Sequence, residues 1–275
     1  MPELPEVETI RRQLAKDIVG RTVRSVDVRF SGRINLSPKR FRAAVEGRRI
    51  REVGRRAKML LLHLSGGKTL VVHLKMTGLL LLAEPDHEPG KHTHIVFRLS
   101  GGRVLFFDDV RKFGFVRLHE TAGLEDDVFG PARLGVEPLG RAFTAPRFAD
   151  CLARHARGAV KPLLLSQKCV VGVGNIYADE TLWKSRIRPD RRAGSLSPSE
   201  ARRLHTAIRD VLRESVRLGG TSFDTYRDAH GSTGGYVRRL KAYGREGKRC
   251  ARCRGTMVKT RLGGRGTHWC RGCQK

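Results

Sequence analysis

Near the C-terminus, Cys250 and Cys253 are separated from Cys270 and Cys273 by sixteen residues, giving C-x2-C twice around a short spacer. Each pair suits a tight turn, and two such turns present four thiolates tetrahedrally to one Zn2+ ion. Two disulfides are the competing reading, disfavoured by the lack of a secretory signal at the start of the chain. Four thiolates close the coordination sphere, so this zinc would be structural rather than catalytic. It would contribute on the order of 10 kcal/mol to folding a tail, 246–275, that has few apolar residues. Between the knuckles, 260–267 reads Thr-Arg-Leu-Gly-Gly-Arg-Gly-Thr, a hairpin with a basic tip. The other two cysteines, Cys151 and Cys169, are expected as isolated buried thiols rather than ligands.

Charge names the partner. The chain has 55 Lys+Arg against 27 Asp+Glu, a formal net charge of +28, and such a field attracts polyanions. Residues 247–275 carry nine Lys or Arg and no acid. A membrane surface fits poorly, because no apolar run of about 18 residues occurs and the basic residues do not gather on one amphipathic helix. The expectation is therefore an intracellular, cytoplasmic protein with no targeting signal and no membrane partner, whose first candidate partner is nucleic acid.

The N-terminus, Met-Pro-Glu-Leu-Pro-Glu-Val-Glu, offers unusual chemistry. A small residue after the initiator lets Met1 be trimmed, which leaves Pro2 with a secondary amine. An α-amino group titrates at about 8, so a nucleophile exists near neutrality without strong desolvation. Taken alone, the segment equally suits a helix start, with Pro5 in the first turn and acids answering the macrodipole.

Periodicity divides the rest. From 21 to about 118 the chain reads as short strands, with apolar runs at 59–64, 69–74, 94–99 and 103–107. Two of the joints are Ser-Gly-Gly, at 65–67 and 100–102, which suit tight hairpins. Several such strands imply a sandwich or barrel. A Pro/Gly-rich stretch, 129–146, reads as a linker. Beyond it the period becomes helical. Short helices are expected at 160–167 and 175–185, joined by Val-Gly-Val-Gly whose following helix start could take an anion. A longer helix begins at a Ser197–Glu200 capping box and ends at Gly219-Gly220.

Five stretches then carry a resemblance that spans nearly the whole chain in order. The opening PELPEVET, HLKMTG at 73–78, DVRKFG at 109–114, QKCVVGVGNIYADE at 167–180, and YGREGKRC leading into the cysteines are similar to formamidopyrimidine-DNA glycosylases. The resemblance implies an α+β protein with an N-terminal catalytic β-sandwich (1–130), a linker (131–147), a helical helix-two-turn-helix DNA-binding domain (148–245) and a zinc finger (246–275), with DNA bound in the cleft between. It also implies a bifunctional enzyme of base excision repair that removes oxidised purines, 8-oxoguanine and formamidopyrimidines, and then cuts the strand at the abasic site.

By the same resemblance, Pro2 is the nucleophile, Glu3 the acid that protonates the sugar oxygen, and Met76, Arg111 and Phe113 the residues that fill the hole left by an extruded nucleotide. Lys58, His73, Asn175, Tyr243 and Arg265 match positions that grip the flanking phosphates, and Lys161 matches a lysine near the damaged base. Lys58 and Arg265 thereby join Pro2 and Glu3 as catalytic-centre residues. Lys75, Val110 and Ser166 depart from the family pattern, as does Ala229-His230-Gly231 within 220–236, the segment corresponding to a mobile lesion-reading loop. Two rivals stand beside this reading. One is an endonuclease VIII-like glycosylase for oxidised pyrimidines. The other is a non-enzymatic zinc-finger nucleic-acid-binding protein, which leaves Pro2-Glu3 unexplained. A single nick site asks only for a monomer.

Overall fold

Helix α1 (Leu4–Asp17) starts where the sequence favours it, with Pro5 in the first turn and Glu3 as N-cap in a reciprocal capping box with Glu6. This computed structural model describes residues 2–130, 133–223 and 225–275. The trimming expected at Met1, Pro131 and Ala132 in the expected linker, and Asp224 of the 220–236 loop lie outside the described residues.

Val7, Ile10 and Leu14 recur at helical spacing on the buried side of α1. They join the core of a sandwich formed by β1 (Val23–Val28), β2 (Ile50–Arg56), β3 (Met59–Leu64), β4 (Lys68–His73), β5 (Gly78–Ala83), β6 (Thr93–Leu99), β7 (Val104–Asp109) and β8 (Phe115–Glu120). A short helix, α2 (Pro38–Val45), packs beside β1. One sheet has the order β1-β6-β7-β5 and the other β2-β3-β4-β8, with every pairing antiparallel. Period-2 residues from both sheets, Leu60, Leu62 and Val72 from one and Ile95, Phe97 and Phe107 from the other, form one apolar cluster. At the β3–β4 turn, a three-residue link between the paired Leu64 and Lys68, Gly66 and Gly67 adopt φ of 74° and 68°, values that L side chains resist.

The chain separates into two units, 1–132 with 218–235, and 133–217 with 236–275. This corrects the single helical domain expected over 148–245, because Leu218–Gly235 packs with the sandwich. The reason is a set of polar anchors on α1: Thr221 N–H donates to Glu6 Oε1 at 2.7 Å, Ala229 N–H to Gln13 Oε1 at 2.9 Å, and His230 pairs with Asp17 at 2.7 Å. Tyr226 and Ala229 complete the fit by entering the sandwich core.

The second unit holds α3 (Ala145–Arg154), α4 (Val160–Leu165), α5 (Asn175–Ser185) and α6 (Pro198–Arg217), together with the hairpin β9 (Met257–Leu262) and β10 (Arg265–Cys270). The end of the expected linker is in fact the first turn of α3, capped by Thr144. The α6 capping box forms as read, with Ser197 and Glu200 exchanging hydrogen bonds. Cys151 and Cys169 are not separate thiols but a disulfide that joins α3 to the stretch before α5. Among the described residues, no helix is long and apolar enough to cross a membrane.

Candidate active site and nucleic-acid interface

Sheet register explains why separated motifs meet in the first unit. Met59, His73 and Phe115 are paired across β3, β4 and β8, while Gly78 pairs with Asp109 across β5 and β7. The turns carrying Lys58, Met76 and 110–114 therefore lie at one end of the sandwich. α1 is tied to that end as well. Glu8 accepts from Arg55 at 3.1 Å, and Arg55 also donates to the Ala57 carbonyl at 2.8 Å, in the turn that presents Lys58. Burial alone would push the Glu8 carboxyl up, but hydrogen bonds from Arg11 and Arg12 and the charge of Arg55 bring it below its ordinary value.

Pro2 is buried at the mouth of α1, and Glu3 and Glu6 are each 2% exposed. Glu6 is a bridge: Oε2 accepts the Glu3 N–H and Oε1 the Thr221 N–H, both at 2.7 Å. Glu6, expected from the sequence as one of the acids beside the Pro2 amine, is also the capping-box partner of Glu3.

Asp109, fully buried, organises the 110–114 turn. Its carboxylate accepts from Thr77, Arg111 N–H and Gly114 N–H, and its carbonyl oxygen lies 2.7 Å from His94 Nε2. Lys112 takes a φ of 54° at the tip. Phe113 is left 47% exposed, with the Arg111 guanidinium 4.7 Å above its ring, so an aromatic face and a donor fork project together from a rigid base. Met76 is half-buried. The departures Lys75 and Val110 lie on the same surface, Lys75 with a φ of 53° and Val110 57% exposed.

His73 is held neutral. Burial, then the charges of Lys75 and Lys58, push its imidazole down to about 3. Its Nδ1 accepts the Lys75 N–H at 3.0 Å, which leaves Nε2 to carry the proton. His73 can therefore contribute a neutral donor, not a cation.

In the second unit the Asp-Glu pair ending the NIYADE motif does work that the sequence did not disclose. Glu180 accepts the backbone N–H groups of Lys241, Ala242 and Tyr243 at 2.8–3.1 Å, fixing the segment that presents Tyr243. Burial raises its pKa, against the lowering by those three N–H groups. Asp179 accepts the His268 N–H at 2.9 Å, and Asn175 Nδ2 donates to Gly266 at 3.1 Å. Helix α5 thus holds the hairpin whose exposed Arg265 stands beside the Gly263-Gly264 tip. In the stretch 171–174 that leads to the helix start expected to take an anion, Gly172 N–H donates to Gln167 Oε1 at 2.7 Å.

Lys161, which the resemblance places near a damaged base, has buried partners within the second unit. It is fully buried, 2.6 Å from Asp179, and donates to Gly266 O and Thr267 Oγ1. The hairpin needs a buried cation opposite Asp179, and Lys161 supplies it.

The four finger cysteines fit a metal. Cys250–Cys273 and Cys253–Cys270 sulfur separations are 3.8 and 3.4 Å, near the ~3.8 Å between thiolates in a tetrahedron with zinc–sulfur bonds of about 2.3 Å. A Cβ on Gly272 would stand 3.0 Å from Cys253 Sγ, a tight contact that glycine avoids. Burial raises the Cys250 thiol, but N–H groups from Cys253, Trp183 and Arg252 draw it down to about 6.

Family models match in chain order: Formamidopyrimidine-DNA glycosylase N-terminal domain over 1–116, Formamidopyrimidine-DNA glycosylase H2TH domain over 134–227, and the zinc finger found in FPG and IleRS over 247–275. The formamidopyrimidine-DNA glycosylase of Heliobacterium modesticaldum is 47% identical over 280 residues, covering 100% of both chains. That of Pelotomaculum thermopropionicum is 45% identical, covering 100% of this chain and 99% of its own. A Lactococcus lactis FPG variant in complex with Fapy-dG-containing DNA superposes with a TM-score of 0.93 at 36% identity, covering 100% of both chains. Wild-type Lactococcus lactis FPG with an oxidised-pyrimidine-containing DNA gives 0.92 at 35% identity, again over 100% of both chains.

Proposed function

Because the chain belongs to the formamidopyrimidine-DNA glycosylase family, we propose that it excises oxidised purines from duplex DNA and cleaves the resulting abasic site, with the Pro2 nitrogen as nucleophile once Met1 is removed. The observation that carries this reading is the buried Pro2-Glu3 start of α1, tied through Glu8 and Arg55 to the turn of Lys58.

The chemistry follows from that start. The Pro2 amine attacks the sugar C1′, the glycosidic bond breaks, and the base leaves with a proton. Glu3 protonates the ring oxygen, and the opened sugar becomes an iminium on Pro2. The iminium acidifies the C2′ proton, so elimination expels the 3′ phosphate and a second elimination the 5′ phosphate. Met76, Arg111 and Phe113 fill the vacated stack, with Arg111 facing the orphaned cytosine. Lys58, Arg265, Asn175 and Tyr243 hold flanking phosphates, and His73 adds a neutral donor. Zinc supplies shape alone, by holding the Arg265 hairpin.

Duplexes carrying a single 8-oxoguanine, formamidopyrimidine or oxidised pyrimidine test the reading. The expected product is a one-nucleotide gap with phosphate at both ends, formed fastest at the purine lesions. Equal binding of all duplexes without cleavage would favour a non-enzymatic binder, and cleavage confined to oxidised pyrimidines the endonuclease VIII-like reading.

A further inference from the structure

Cys151 and Cys169 are bridged across 18 residues of sequence, both within the second unit. Helix α3 buries Phe148, Cys151 and Leu152 on one face, which brings Cys151 against the stretch that leads into α5. Four other cysteines of the same unit stand unbridged at metal-ligand spacing. A finger that must keep four thiolates to hold its metal works where thiols survive. Under such conditions a disulfide is typically a transient, redox-responsive one.

The position of the bridge gives it a consequence. Cys169 lies six residues before Asn175 in a backbone stretch already set by its neighbours: Gln167 O accepts from Gly135, Cys169 O from Val136, and Val171 N–H donates to Val136. The Gln167 side chain closes the turn by donating to Val173 O and accepting from Gly172. Asn175 then reaches Gly266, the residue after Arg265. A continuous path runs from α3 through the sulfur bridge and the turn to the hairpin tip.

Both sulfurs are buried, and His155 stands beside them. His155 Nδ1 lies 3.8 Å from Cys151 Sγ and 4.0 Å from Cys169 Sγ. The imidazole also lines a cavity of about 560 Å³ with Arg154, Arg157, Ser166 and Lys168, large enough for a small oxidant.

We propose that Cys151 and Cys169 are a reversible thiol-oxidation site, closed by hydroperoxides and opened by thiol or phosphine reductants, whose state sets how firmly the Asn175 turn and the Arg265 hairpin are presented to nucleic-acid phosphate. Closure is balanced: one thiolate attacks the peroxide, the O–O bond breaks, and the released hydroxide or alkoxide takes up a proton. The second thiolate attacks the sulfenic sulfur, the S–S bond forms, and hydroxide leaves as water after protonation. Two cysteines lose two electrons, and the peroxide gains them. The bridged form binds more tightly because less of the turn must be ordered on binding. The consequence for DNA rests on the function proposed above, whereas the thiol chemistry does not.

The test uses the full chain with its zinc, treated with limiting hydrogen peroxide or with a phosphine. Peptide mapping reads the bridge, metal analysis the zinc, and titration the affinity for a duplex with an uncleavable tetrahydrofuran abasic analogue. The expected result is a mapped Cys151–Cys169 bridge in the oxidised sample, one zinc per chain in both, and roughly three- to tenfold tighter binding when oxidised. Cys151→Ser and, separately, Cys169→Ala should bind like the reduced protein after either treatment. Failure of the bridge to form, or equal affinity in both states with binding intact, would overturn the proposal. A second zinc in the reduced protein would overturn it too, assigning Cys151, His155 and Cys169 to a metal. No binding in either state, with the bridge mapped, would instead overturn the nucleic-acid reading and the consequence argued from it.

Discussion

Lys161 Nζ lies 2.6 Å from Asp179 Oδ1 with both side chains at 0% exposure, and the same aspartate receives the His268 N–H of the zinc-bearing hairpin. A buried pair of this kind is costly to break from one side, because the remaining charge is stranded. Lys161→Met should therefore destabilise the second unit by roughly 3–5 kcal/mol and weaken binding to damaged and undamaged duplex alike. Thermal unfolding and binding titrations check this. Loss of lesion preference with stability unchanged would restore Lys161 to the damaged base.

His73 gives a pH signature. Its pKa falls from 6.5 to about 3 on folding, so the unfolded chain takes up a proton that the native chain refuses. This stability is fully present above pH 6.5 and is lost as pH falls toward about 3, a loss of up to a few kcal/mol. His73→Gln should flatten the stability curve between about pH 6.5 and 4. In binding, Lys58→Ala should reduce the log-log salt slope by roughly 0.9, whereas His73→Gln should leave it unchanged.

Much of this was legible in the sequence where one local rule decided the outcome. The Ser197–Glu200 box, the Gly-Gly hairpin turns and the C-x2-C pairs each specify their geometry within a few residues. What could not be read depended on distant partners. The burial of Lys161 needs Asp179 and the hairpin together, the Cys151–Cys169 bridge needs α3 to pack against the turn, and the return of Leu218–Gly235 to the sandwich needs Gln13 and Glu6 on α1. No sequence period marks such contacts. The same limit applies in part to His73, whose motif with Lys75 was visible but whose neutrality also comes from burial and from Lys58 in another turn.

The 110–114 turn carries two side chains to which the proposed function gives different tasks. Arg111 and Phe113 are stacked at 4.7 Å but face different partners in the proposed complex. Arg111→Ala should relax preference for cytosine opposite the lesion by roughly 1–3 kcal/mol, read as the ratio of excision rates over the four opposing bases. Phe113→Ala should slow excision from duplex while sparing cleavage of a preformed abasic site. An unchanged opposite-base ratio in Arg111→Ala would refute the pairing role.

The finger offers a structural control. Cys270→Ser should release zinc and abolish DNA binding, while the sandwich, a separate unit with its own core, keeps its unfolding transition. Full activity in protein without stoichiometric zinc would contradict the role given to the four cysteines.

The central claim concerns one nitrogen. Borohydride reduction of the protein on a lesion-containing duplex, followed by mass mapping of the adduct, tests it directly. The account predicts that active protein begins at Pro2, that DNA is trapped on that residue, and that Pro2→Gly or retention of Met1 cripples base excision. A normally active protein that retains Met1, or an adduct mapped to Lys58, would contradict it.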